Sequence, residues 1–334
     1  MSEKEPRILT DREARAIVRD EFLPLLAPDS SKNPRFAVFG GAQGSRKTTL
    51  KPVVARSLGM QGALLLEGDD LFAFHPRYEQ LVSELGDTFQ AGKKVSSDIE
   101  FMYTETLAGV RERHADVMVV GPYTGLDFTL SRIAEFKESG YQVELAYTAL
   151  HPALSQLGVM HRHMQTVEAG AGAGMLVSLE LQEKVIKDTP VVMAEIERRG
   201  VADALHVVGP EGVVFSKRRQ EAGTWVPARS IAEVVEETRA RPWDRDVRAD
   251  FARRRAAVEH GQGDDWIARL RSVDRLAGPM LRETTEAEVQ ASRDLMSLAF
   301  PGAAKEATRD PVGGPQSSGP EPESERGEGI DSGR

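Results

Sequence analysis

The chain has no cysteine among its 334 residues. Disulfide frameworks, thiolate nucleophiles and cysteine-ligated zinc or iron–sulfur sites are therefore excluded together, because each needs the sulfur itself. Positive charge is also in deficit: 43 basic side chains stand against 52 acidic ones, a net charge of −9 with a pI near 5.5. That balance argues against a chain-wide electrostatic footprint for nucleic acid, so no nucleic-acid partner is expected. Long apolar runs are missing too, which predicts no membrane span, and the N-terminus MSEKEPRILTDREARAIVRDEF is charged where a secretion signal is apolar. The expected class is a soluble globular chain of one large or two small domains, located in the cytoplasm.

What is present is a pattern of short apolar runs separated by helical stretches. Ala14, Ile17, Val18 and Phe22 recur at helical spacing, and Pro24 is expected to end or kink that helix. RFAVFGG, a run of apolar residues ending in paired glycines, reads as a buried strand, and TTLKPVVARSL after it has helical periodicity. GALLLEGDD supplies a second strand, and two strands joined by a helix imply a parallel βαβ unit. ADVMVVG at 115–121, YQVELAYTAL at 141–150 and DALHVVG at 203–209 add further strands. The predicted class is α/β, a P-loop kinase-like three-layer sandwich with a mainly parallel sheet.

The reading divides the chain into an N-terminal helix and linker at 1–34, a P-loop kinase-like domain at 35–235, an Arg-rich helical extension at 236–300 and a disordered tail at 301–334. Seven arginines lie between Arg239 and Arg255, interleaved with Asp244, Asp246 and Asp250. Mixed sign favours a solvated helical face with ion pairs over a nucleic-acid patch. In the last 25 residues, fourteen are Gly, Pro or Ser and six are acidic, too little apolar area to offset the entropy of ordering.

The most specific motif is Gly41-Ala42-Gln43-Gly44-Ser45-Arg46-Lys47-Thr48, followed by Thr49, where the first strand meets the first long helix. A P-loop has Gly, four residues, then Gly-Lys-Ser/Thr, with backbone N–H groups wrapping phosphate. Here the second glycine is Arg46. Lys47 stands where the motif reaches the β- and γ-phosphates and Thr48 where it ligates Mg²⁺, at a helix N-terminus whose dipole favours anions. A Cβ at Arg46 strains a loop that must hug phosphate, while its guanidinium adds positive charge beside it. ATP and Mg²⁺ are the expected cofactors.

Downstream of the second strand come Asp69 and Asp70. Strand carboxyl ends line the ligand crevice of an open α/β sheet, so these acids are expected to face the same opening as the loop. Asp69 or Asp70 suits the carboxylate that orients an acceptor hydroxyl and takes its proton; the competing role is a helix cap.

Together the P-loop and the Asp69…His75-Pro76-Arg77-Tyr78 segment resemble the zeta toxin family of bacterial P-loop kinases. The likeness continues through Gly140-Tyr141-Gln142-Val143, Pro152-Ala153-Leu154-Ser155 and the helix carrying Arg162, covering about residues 35–210. It implies ATP-dependent phosphorylation of a hydroxyl of UDP-N-acetylglucosamine, with Asp69 as base, Lys47 and Thr48 on ATP and Mg²⁺, and Arg162 neutralising the transferred phosphoryl group. It also implies a neutralising antitoxin whose helix blocks the ATP site. Asp70, His75, Tyr123 and Thr124 are the expected acceptor contacts, His75 also being a candidate for merely fixing a loop.

Three departures qualify the likeness. Arg46 replaces a glycine. Val120-Gly121-Pro122-Tyr123-Thr124 stands where the family has Glu-Gly-Thr. The glycine–alanine run from 170 to 174 occupies the place of a second arginine, as a lid or as a loop without function. The competing readings are a catalytically impaired nucleotide binder acting through a protein partner, and a P-loop kinase for an unrelated small molecule.

Overall fold

Strand β1 (Arg35–Gly40) is buried from Phe36 onward. A strand is apolar on both sides only when both faces of its sheet are covered, and here both are. Ala37 and Phe39 join Leu50, Val54 and Ala55 of helix α3 (Lys47–Ser57) in one apolar cluster. Phe36 points the other way and stacks on Phe136 of α6 (Leu126–Glu138), ring centroids 3.8 Å apart. The period-2 alternation of a strand thus builds the sandwich. The protein is described by a computed structural model over residues 5–26, 31–169, 176–261 and 263–281. The tail at 301–334 and the glycine–alanine run at 170–174 lie outside the described residues.

The sheet has seven strands in the order β2-β3-β1-β4-β5-β6-β7. β2 (Leu64–Glu67), β3 (Val117–Val120), β4 (Gln142–Thr148) and β5 (Ala204–Val208) run parallel with β1. β3 inserts between β1 and β2, so the βαβ crossover skips one strand. From β1 the chain first moves to one side and then, at β4, to the other, and such a reversal opens a crevice at the strand carboxyl ends.

β6 (Val213–Arg219) and β7 (Trp225–Val226) add an antiparallel edge that the sequence reading lacks. Lys217, Arg218 and Arg219 break the apolar run there, Lys217 buried and Arg218 and Arg219 exposed. The N-terminal helix also differs from expectation. α1 (Asp11–Ile17) passes through a π-helical turn (Val18–Phe22) into α2 (Leu23–Leu26), so Pro24 does not end it. The wider turn, with Leu23 N–H donating to Val18 five residues back, rearranges the bonds just where proline supplies no donor.

Helices α4 (Tyr78–Leu85) and α5 (Thr88–Glu112) follow β2, α7 (Pro152–Glu168) and α8 (Leu179–Arg199) follow β4, and α9 (Ile231–Arg239), α10 (Arg245–Ala257) and α11 (Asp264–Leu281) close the described chain. Trp243, Phe251, Trp266 and Val273 pack with Leu157 and Met160 of α7 in a second apolar cluster. The later part of the arginine run forms the mixed-sign face, with Asp250 pairing with Arg253 and Arg254 and Arg255 holding Asp274 at 2.7 Å, whereas Arg239 at its start is buried. Among the described residues, no helix is long and apolar enough to cross a membrane.

Candidate active site

The loop between β1 and α3 is shaped by glycines at positive φ, Gly41 at +145° and Gly44 at +76°. Gly44 also lies against α7: a Cβ there would meet the Ser155 carbonyl at 2.2 Å, and one on Gly158 would meet the Gly44 carbonyl at 2.5 Å. Two missing side chains therefore seat the loop on the helix. Ser155 Oγ and Gln182 Nε2 donate to the Gln43 carbonyl at 2.7 and 3.1 Å, and Thr148 Oγ1 donates to the buried Ser45 Oγ at 2.8 Å.

Arg46 occupies the N-cap of α3 in the left-handed region, φ 64° and ψ 21°, and makes no side-chain cap. Thr10, Asp87, Ser178 and Asp244, which precede four other helices, all accept a backbone N–H at their caps. The first-turn amides of α3, at Lys47, Thr48 and Thr49, have no intrahelical acceptor, and Thr48 and Thr49 are exposed. The start of α3 is therefore an uncapped, positively flanked helix terminus, the arrangement that binds anions.

Lys47 folds back over the loop, Nζ donating to the Gly41 and Ala42 carbonyls at 2.9 and 2.8 Å. Burial, with Arg162 nearby and Glu67 opposing, lowers its pKa to about 8. Asp69 moves the other way: burial and the neighbouring carboxylates of Glu67 and Asp70 raise its pKa, with Arg162 opposing. Arg162 thus lies within electrostatic reach of both Lys47 and Asp69, and Glu67, which sequence reasoning assigns no role, acts on both as well. Glu67 is held by Lys51 at 2.7 Å.

The two strand-end acids divide their tasks. Asp70 Oδ2 accepts the Glu67 N–H at 2.8 Å, the capping alternative, whereas among the described residues no hydrogen bond occupies the Asp69 carboxylate. The 3₁₀ turn Gly68–Phe74 that carries both explains it, since adjacent residues there point apart.

His75 and Tyr123 are turned inward. His75 Nε2 lies 3.2 Å from Asp98 Oδ2, and its Nδ1 accepts the Arg77 N–H at 3.3 Å. Asp98, fully buried, also accepts the Ile8 and Leu9 amides at 2.9 and 3.1 Å. His75 therefore fastens the N-terminal segment and is not open to a ligand. Tyr123 is 7% exposed, and its hydroxyl is 2.6 Å from that of Tyr103. Burial raises the pKa of both phenols, so both stay neutral hydroxyls. Thr124 is half-buried at the following turn. Ser155, Gln182 and Thr148, which sequence reasoning does not single out as site residues, brace the loop from distant chain positions, and only the fold brings them there.

The donor set fits a nucleotide triphosphate with Mg²⁺. Open amides, a lysine and the exposed Arg162 suit phosphate, and the Thr48 hydroxyl is a hard oxygen ligand. No group of three or more acidic or histidine ligands is assembled among the described residues.

The comparisons with known proteins agree with this architecture. A curated relative, Toxin PezT of Streptococcus pneumoniae serotype 4, is 28% identical over 136 residues, which is 40% of this chain and 52% of that protein. The chain thus spans about half the length of the curated relative it matches. A solved structure from the PezAT chromosomal toxin–antitoxin system of Streptococcus pneumoniae is similar in fold, with a TM-score of 0.61 at 20% identity over 77% of this chain and all of that one. The AvrRxo1-ORF1:-ORF2 complex is more distant, with a TM-score of 0.48 at 15% identity over 79% of this chain and 85% of that one. The family model described as Zeta toxin matches residues 24–221, more than half of the sequence. The chain belongs to the Zeta toxin family.

Proposed function

We propose that the protein is an ATP-dependent, Mg²⁺-requiring phosphotransferase that phosphorylates a hydroxyl of a UDP-amino sugar such as UDP-N-acetylglucosamine. The observation that carries this reading is that Arg162 lies within electrostatic reach of both Lys47 and Asp69, with none of the three in a fixed ion pair among the described residues. Family membership supports it, and the acceptor is drawn from that likeness.

In this reading the open amides of α3 and Lys47 orient the terminal phosphates, with Arg46 adding charge at the rim. Bound Mg²⁺, with the Thr48 hydroxyl as one ligand, supplies charge neutralisation between the phosphates. Asp69 accepts the proton of the acceptor hydroxyl as its oxygen bonds to the γ-phosphorus and the bond to the bridging oxygen of ADP breaks. Its raised pKa makes it a better base near neutrality than an ordinary aspartate. Arg162 stabilises the charge of the phosphoryl group in transfer. Asp70 caps the turn that presents Asp69, and Thr124 is the acceptor contact nearest the opening.

A second reading has one observation in its favour, the strained backbone of Arg46. It makes the protein a nucleotide binder of low turnover that acts through a protein partner. The likeness to PezT and to the PezAT toxin–antitoxin system supports extending the proposal to an antitoxin partner in either case.

The test incubates the full chain with Mg·ATP and a panel of UDP-sugars, following ADP release and sugar phosphorylation. Turnover that falls by about 10²–10⁴ in Asp69→Asn, with ATP still bound, supports the kinase. ATP binding without phosphate transfer in the parent, and transfer gained in Arg46→Gly, supports the second reading. Absence of ATP binding in the parent protein overturns both.

A further inference from the structure

Asp69 has an aromatic flank. Asp69 and Phe72 lie three residues apart in the 3₁₀ turn Gly68–Phe74, and side chains at that spacing eclipse one another. The two therefore share one face of the turn. An edge of the Phe72 ring reaches α5, where a Cβ on Gly92 would lie 3.4 Å from it, and the Tyr78 ring stacks on Phe72 with centroids 4.8 Å apart and planes at 25°. Burial and then the Asp69 charge raise the Tyr78 pKa, so the phenol is within electrostatic reach of that carboxylate and stays a neutral O–H donor near neutral pH.

The segment His75-Pro76-Arg77-Tyr78 sets that position. His75 is buried against Asp98, and its carbonyl accepts the Tyr78 N–H at 3.0 Å, so α4 starts from a fixed corner that Pro76 stiffens. Tyr78 itself is half-buried, and its hydroxyl has no hydrogen-bond partner among the described residues. The ring is held and the hydroxyl is not. Of the four acceptor contacts expected from the sequence, Asp70, His75 and Tyr123 are engaged elsewhere. The open phenol beside Asp69 stands where they do not.

From this we infer that Tyr78 is a specificity-determining residue for the acceptor, selecting a compound that carries a second oxygen beside the hydroxyl to be phosphorylated. The inference rests on the phosphotransferase reading and extends it from the reacting hydroxyl to that hydroxyl's neighbour. The reacting hydroxyl donates to Asp69, and the adjacent oxygen accepts from the Tyr78 O–H. Neighbouring substituents of a sugar ring present oxygens side by side in this way, as does a hydroxyl next to an acylated amine. A lone alcohol meets Asp69 and leaves Tyr78 without a bond once it covers the phenol. A site that hydrogen-bonds a polar group of its substrate rejects the analogue lacking that group, because its own polar atom is left unpaired. The acceptor class is thus a vicinal diol or hydroxy-amide.

The experiment measures acceptor KM, kcat and ATP affinity of the full chain with Mg·ATP and UDP-N-acetylglucosamine, in the parent and in Tyr78→Phe. That change deletes an oxygen that holds nothing in the free protein, so the melting temperature stays that of the parent. Acceptor KM rises about three- to tenfold, as for one lost neutral hydrogen bond, while kcat and ATP affinity stay within about twofold. An analogue of the sugar lacking the oxygens next to the phosphorylated hydroxyl has the same KM in both proteins. An unchanged acceptor KM in Tyr78→Phe, a loss confined to kcat or to ATP affinity, a lowered melting temperature, or an analogue that still separates the two proteins overturns the assignment and leaves the phosphotransferase reading standing. A parent that phosphorylates no UDP-sugar overturns that reading and the assignment with it.

Discussion

At the amino ends of the strands, charge is matched. Glu144 on β4 is 1% exposed and takes Arg35 at 2.7 Å and His206 at 3.1 Å, while His206 reaches Ser216 at 2.8 Å. Lys217 on β6 is equally buried and holds Glu197 and the Arg229 carbonyl. At the carboxyl ends of β1 and β2 the opposite holds. Lys47 has only carbonyls for partners, Asp69 has none among the described residues, and α3 begins without a cap. The same chain thus satisfies its ionic groups at one end of the sheet and, apart from Glu67 with Lys51 and the capping Asp70, leaves Lys47 and Asp69 without a charged partner at the other. Fixed partners serve stability; a group left without one is free for a partner that arrives from solution.

The sharpest way to break that comparison is at the matched end. Glu144→Gln leaves Arg35 short of its partner and is expected to lower stability by about 3 kcal/mol in urea unfolding, with nucleotide binding unchanged. Burial pushes the Glu144 carboxyl up, but His206 and Arg35 outweigh it and hold the pKa down to about 2. A carboxylate depressed in the folded state contributes stability above its unfolded pKa and loses it as pH falls through the folded value. The parent should therefore lose stability between about pH 4.5 and 2, and Glu144→Gln should show a flatter profile over that window.

The open end answers with the opposite sign. Lys47 is lowered from 10.5 to about 8, so below pH 8 the folded state carries a charge it holds unfavourably. Lys47→Met is expected to raise stability by about 1–2 kcal/mol at pH 7 while abolishing ATP binding. The gain should shrink as pH rises from about 8 to 10.5, where only the unfolded lysine stays protonated. A variant destabilised at pH 7 would mean that the two carbonyl bonds outweigh the buried charge. The smallest effect is expected from Arg46→Gly, which relieves a left-handed residue and should add about 0.5–1 kcal/mol in thermal unfolding.

Much of the fold is legible in the sequence because its parallel strands are short apolar runs buried on both faces, and such runs differ sharply from their neighbours. β6 is not, since three consecutive charges end it, and the burial of Lys217 depends on its tertiary partner Glu197. Within the site, Lys47 and Asp69 are legible because residue type and position after a strand suffice to place them. His75 and Tyr123 share those positions but turn inward, toward Asp98 and Tyr103, and order along the chain does not encode that direction. Glu67, Ser155 and Gln182 act through tertiary neighbours up to 139 residues away, so spacing alone does not find them.

Gly158 meets the loop at Gly44, and Arg162 stands one helical turn further along the same face of α7. One rigid rod therefore gauges the gap between the crest of the loop and the guanidinium, and its zero is set by two hydrogen atoms in place of methyl groups. A side chain at either glycine would act as a shim, lifting the loop and carrying it out of register with the arginine even though every charged residue remained in place.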